Sequence, residues 1–202
     1  MANPSNAAFG LRPVRYLDGT PWNGATIRCY VASGYAVALY IGDAVAFTTT
    51  LNDKDATAKY PSIVVSSGAT ATVIRGVITS FEPDPTNLTL QYRPASTERW
   101  AHVVPAVPNL VFHIRDDGDA TPSKVFPGQN AIMASGTAST VTGMSGYVLD
   151  GSTTPTTTQA HSLHILGLAD IPDNELGDYA IWEVLINTCY NTSGLYAGIT
   201  AT

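Results

Sequence analysis

The chain has 202 residues, a formal net charge of −6 and a hydrophobic share of 45%, enough for one sizeable core and compatible with a single β domain. Charged residues make up only 13%, about half the usual quarter. Its surface must therefore be covered mainly by threonine, serine, asparagine and glycine. The acidic balance and seven scattered arginines argue against nucleic-acid binding, which needs clustered Lys and Arg to displace counterions from phosphate.

Residues 1–24 lack a core-like period but carry Phe9, Tyr16 and Trp22, with Arg12 and Arg15 between them. They are expected to form an extended arm that lies on another surface. The opening residues show no positive start followed by an apolar stretch, so export by a signal peptide is not expected. No run approaches transmembrane length. The expected setting is synthesis in a cell's cytoplasm, with no membrane partner.

Residues 25–202 are expected to form one β-rich domain. Short runs rich in Val, Ile, Thr and Tyr, separated by Gly, Pro, Asn and Asp, predict strands at Thr26–Ala32, Val37–Ile41, Ala44–Thr49, Ile63–Ser66, Thr70–Phe81 and Leu88–Tyr92. The series continues with Arg99–Val104, Leu110–Arg115, Gly146–Leu149, Ser162–Leu168 and Tyr179–Asn187. Separators such as Gly42-Asp43, Pro83 to Asn87, Asp116 to Asp119 and Asp150-Gly151 are turn chemistry. The fold class is all-β, a jelly-roll-like sandwich or barrel of many short strands. The sole expected helix runs from Gly128 to Ala134.

Two runs report their setting. In Leu163–Leu168, residues 163, 165 and 167 face one way and 164, 166 and 168 the other, with both faces largely apolar. In Ala180–Ile186, Trp182, Val184 and Ile186 share a face opposite Ile181, Glu183 and Leu185. Both read as central strands. Between them and the earlier strands, Ala134–Ala160 is a long Thr, Ser and Gly tract whose apolar residues include Met144 and Tyr147. It is expected either to be mobile or to add strands to a neighbouring subunit.

The search for reaction chemistry gives no catalytic residue, metal site or cofactor. His161 and His164 are three apart, which on a strand places them on opposite faces. Asp116-Asp117-Gly118-Asp119 lacks the ligand spacing and closing glutamate of a calcium loop. Gly143-Met144-Ser145-Gly146 has its second glycine one residue too early for a serine elbow. Glu82 with Asp84, or Asp170 with Asp173 and Glu175, would serve a glycosidase only if the fold paired them, and both groups read as turns. Trp22, Trp100 and Trp182, with ten tyrosines, fit a carbohydrate groove, a core or an interface equally well. Cys29 and Cys189 are read as reduced, buried thiols.

Four stretches resemble a family of tailed-phage head proteins encoded beside the major capsid protein. They are Ala8–Arg15 with Pro21–Gly24, Phe81–Asn87 leading to Tyr92–Thr97, Thr142–Gly146 with Leu149-Asp150, and Asp170–Gly177 running into Trp182–Asn187. The resemblance implies a non-enzymatic cement or decoration protein of the virion's outer capsid surface. Its implied partners are the major capsid protein and itself, as a trimer first and a dimer second. Phe9, Arg12, Arg15, Tyr16, Trp22, Met144 and Tyr147 are the expected capsid or subunit contacts. A carbohydrate-binding module on the phage surface is the alternative, and a glycan-degrading enzyme the third reading.

Overall fold

The computed structural model describes residues 3, 7–48, 59–118, 126–152 and 155–189. Several expected features lie partly outside them: residues 1, 2 and 4–6 of the arm, Thr49, Asp119 of the acidic turn, and residues 153 and 154 of the polar tract. The fold is all-β, and of the two expected forms the barrel is present. The strands among the described residues are β1 (Arg12–Tyr16), β2 (Ile27–Val31), β3 (Ala44–Thr48), β4 (Ser62–Val65), β5 (Gly76–Phe81), β6 (Arg99–Pro105), β7 (Leu110–Arg115), β8 (Asn130–Ala131), β9 (Met133–Ala134), β10 (Val148–Leu149), β11 (Leu163–Leu168) and β12 (Ile181–Ile186). Among the described residues there is no helix, and so none long and apolar enough to cross a membrane.

Strands β2, β4, β3, β5 and β6 close into a barrel in that order, and β1, β7, β12, β11 and β8 form an open antiparallel sheet beside it. Period-two alternation splits neighbouring residues between two cores. Val45, Ile78 and Val103 point into the barrel with Cys29, Val31, Leu39, Ile63 and Ala101. Their neighbours Ala44, Val77 and Val104 instead meet the sheet, joining Phe112, Ile114, Ile165, Trp182, Val184 and Ile186 in the larger cluster. The end of the barrel at the start of β5 is therefore continuous with the sheet's inner face. Cys29 and Cys189 belong to different clusters, and burial pushes the Cys29 thiol up to about 12.

β12 is central, as expected, between β7 and β11. In β11 a bulge between Ile165 and Gly167 resets the alternation, so Leu168 pairs with Trp182 and packs on the inner cluster. Four other expectations are corrected. The helix at Gly128–Ala134 is instead β8 and β9, paired with β11 and β10, because strand partners are available and the segment has no helical face to bury. Leu88–Tyr92 is a turn, with Asp84 and Asn87 side chains capturing the amides of Thr86 and Thr89. Val37–Ile41 makes isolated bridges only, Leu39 to Arg93 and Ile41 to Met144. Strand β5 starts at Gly76 rather than Thr70.

Much of the expected arm is inside the fold. Residues 12–16 are an edge strand on β7, where Pro13 is tolerated. Phe9 and Leu11 are buried, and Asn3 exchanges hydrogen bonds with the backbone of Glu175 and Asp178. The polar tract also finds partners in its own chain. Gly136 bonds Gly146, Ser139 bonds Met144, and Asn130 exchanges two bonds with Thr156. These described parts form a hairpin and a bridge within the chain.

Candidate functional site

The seam between barrel and N-terminal segment is built on two glycines. Gly42 (φ +95°) and Gly10 (φ +69°) lie so close that a Cβ on Gly42 would meet the Phe9 carbonyl oxygen at 2.0 Å. The Leu11 amide donates to the Gly42 carbonyl at 2.9 Å. The hairpin from β9 to β10 docks on the same seam, with Ile41 N donating to Gly143 O (2.9 Å) and Ser145 N to Ile41 O (2.8 Å). Here the candidate contact Met144 meets Phe9, Arg12 and Trp22, all four lining a cleft of about 170 Å³.

A larger open cleft of about 1050 Å³ lies beside it, between Ala7–Phe9, the hairpin residues 134–139 and the Arg115–Asp117 turn. Arg12 leans over the Phe9 ring at 4.6 Å, and Arg115 lies 5.9 Å from the same ring. The other three candidates are placed elsewhere. Arg15 is on the sheet's outer face, in a two-pronged pair with Glu183 (2.6 and 3.3 Å), whose carboxylate also lies 3.5 Å from His113. Burial lowers the His113 pKa despite that neighbour. Tyr16 and Tyr147 are half-buried against the larger core cluster.

Asp43 is buried beneath the docked hairpin. Its carboxylate accepts from the Tyr40 amide at 2.8 Å and from the Ser145 hydroxyl, yet burial dominates and pushes its pKa up to about 6. The unfolded value is near 3.8, so the neutral form favours folding. That stabilisation is full below the unfolded value and is lost as pH rises through about 6. Asp43→Asn removes the charge while keeping an acceptor oxygen. It is expected to stabilise the chain by about 1–3 kcal/mol at pH 8 and to give no gain near pH 4, read from denaturation curves at both pH values. An equal effect at the two pH values would contradict this origin. Asp116, also pushed to about 6 by burial, acts with the same sign in both proteins.

Sequence reasoning missed the buried arginine anchors, because isolated arginines in turn-rich text read as surface residues. Arg93 is wholly buried and donates to the carbonyls of Ala32 (2.7 Å), Val37 (2.7 Å) and Thr97 (2.5 Å). Arg99 ties down Glu82, Leu90 and Tyr92 carbonyls. The fork geometry of guanidinium is what lets one side chain bind several carbonyls at once.

The residues considered for chemistry have structural engagements. His161 and His164 both reach Asn130, at its carbonyl (3.3 Å) and its side-chain oxygen (2.7 Å). Glu82 is held by Arg28 at 2.5 and 3.0 Å, which lowers its pKa, and Asp84 is lowered by hydrogen bonds from Thr86. Ser145, 1% exposed, lies between Asp43 and the Tyr147 amide. Asn174 bonds Ala169 O, Ile181 O and Ile181 N, closing the loop before β12. Among the described residues no three His, Cys, Asp or Glu side chains are placed to hold a metal.

The tryptophans are separated. Trp182 is in the core and Trp22 packs against it. Trp100 stands at the barrel's other end with Tyr30, Glu82, Asp84 and Glu98 around a cleft of about 340 Å³. One face of Trp100 carries the Arg28 guanidinium at 3.9 Å. Compared with protein-family models, curated proteins and solved structures, the chain matches none.

Proposed function

We propose that this chain is a structural cement or decoration protein of a tailed-phage head, acting as a homo-oligomer on the outer surface of the major capsid protein lattice. The observation that carries the reading is what the phage-like stretches do in the fold. Phe9-Gly10-Leu11 makes the seam with Gly42, Asp84 folds its turn, and Arg93 anchors three carbonyls. Gly143 to Ser145 docks the hairpin, Asn174 closes a loop, and Trp182 fills the core. The residues that carry the resemblance thus specify a scaffold, which is what a family defined by shape and contact would retain.

A cement protein works by many identical weak contacts repeated on a lattice, so each single contact can be modest while the array is held by avidity. Phe9, Arg12, Trp22 and Met144, gathered on one cleft, are the residues assigned to that contact, with neither nucleic acid nor membrane as partner. Mixing purified protein with empty capsid shells tests the reading, and saturable co-sedimentation is the result expected. The cleft at Trp100 supports the alternative of a carbohydrate-binding module; binding to immobilised glycans with indifference to shells would establish that reading instead.

A further inference from the structure

The large apolar side chains left exposed among the described residues are Leu17 (44%), Val37 (47%), Leu88 (79%), Val141 (86%) and Leu176 (41%). Three of them lie on segments that are bonded together. Val37 begins the 37–41 segment, whose Leu39 exchanges two backbone hydrogen bonds with Arg93 at 2.8 and 2.9 Å. Two residues further on, the Ile41 amide donates to Gly143 O at 2.9 Å. The turn holding Leu88 and the hairpin tip holding Val141 also touch directly, since a Cβ on Gly143 would sit 2.7 Å from the Gln91 Cβ. Tyr40 and Tyr92 stack between them, ring centroids 5.0 Å apart and 7° from parallel.

These segments are also uncharged. Residues 35–41, 85–92 and 134–149 contain no Asp, Glu, Lys or Arg, and the neighbouring Arg93 is wholly buried. In a chain of net charge −6, two copies repel wherever their acidic surfaces approach. A neutral face with protruding aliphatic residues is where that repulsion is least and the gain from excluding water greatest. The same charge argument disfavours a strongly basic partner, which would gain nothing from a neutral face.

We infer that the face carrying Leu88 and Val141, beside the Tyr40–Tyr92 stack, is the self-association surface, its occupant a second copy of this chain. The inference rests on the oligomeric reading above and names the surface that reading leaves unassigned. The hydrogen bonds among the three segments fix the backbones that carry these side chains, so less ordering remains to be done on association.

The test is light scattering on the full chain over a concentration series, with and without capsid shells. Its variants are Leu88→Glu with Val141→Glu, and Leu176→Glu as a control outside the face. The substituted side chains are exposed, and circular dichroism verifies folding. The double variant is expected to raise the dissociation constant of the oligomer by about 100-fold, while the control leaves it unchanged. A wild-type chain that stays monomeric, or a double variant that associates as the wild type does, overturns the inference. So does a double variant that remains oligomeric but no longer binds shells, because the face would then meet the capsid protein. An oligomer dissolved by the double variant but indifferent to shells would sustain this surface and end the cement reading instead.

Discussion

Arg93→Met is expected to destabilise the folded chain by about 3–5 kcal/mol, because three backbone carbonyls lose their charged donor at about 1–3 kcal/mol each. Methionine fills much of the volume but leaves the carbonyls of Ala32, Val37 and Thr97 without their donor in a site of no solvent access. Those carbonyls belong to two turns, residues 32–37 and 93–97, which also meet through the Ser96 amide and the Tyr35 carbonyl at 3.0 Å. Loss of the guanidinium therefore loosens both turns together. Arg93→Lys should restore only part of the loss, since a single ammonium on a flexible stem cannot reproduce the planar fork. Chemical denaturation reads both effects, and a loss below about 1 kcal/mol for the methionine variant would contradict the anchoring role.

Gly42→Ala is expected to cost about 3 kcal/mol or more and to release the N-terminal segment. At φ +95° an L side chain is already strained, and its Cβ would lie 2.0 Å from the Phe9 carbonyl, an obstruction by backbone that no rotamer relieves. The cheapest escape is for residues 7–11 to move away, exposing Phe9 and Leu11, which are 9% and 2% accessible in the native fold. Limited proteolysis should then cut near these residues in the variant and spare them in the wild type. Unchanged protection would mean that the barrel, not the segment, yields. If Phe9 and Met144 meet the capsid, the same variant loses shell binding while its β domain stays folded.

The strands that the sequence revealed are those whose own residues decide the matter. Leu110–Arg115 and Ile181–Ile186 alternate large apolar residues on one face, and their neighbours in the sheet bury that face. β1 was hidden because two arginines and a proline in five residues read as an arm; its stability comes from pairing with β7 and from Arg15 meeting Glu183, both long-range. The hairpin of 134–149 was equally hidden, since its order depends on close glycine contacts and on Ile41, far away in sequence. Aromatic residues in the N-terminal stretch read as free anchors, whereas Phe9 and Trp22 are seated against the fold and turn only part of their surface to the cleft. Val37, Leu88 and Val141 gave no warning, because single aliphatic residues in polar loops have no period to read. What a local pattern cannot show is which distant backbone will arrive to satisfy it.

A scaffold that covers and clamps a capsid lattice, as proposed, is tested most directly by its occupancy on purified empty shells as protein is added. Saturation is expected at a fixed ratio to the major capsid protein, with symmetrically placed density on the outer surface and a rise in the shell's disruption temperature. Shells that sediment bare at saturating protein, with disruption temperature unmoved, would contradict it.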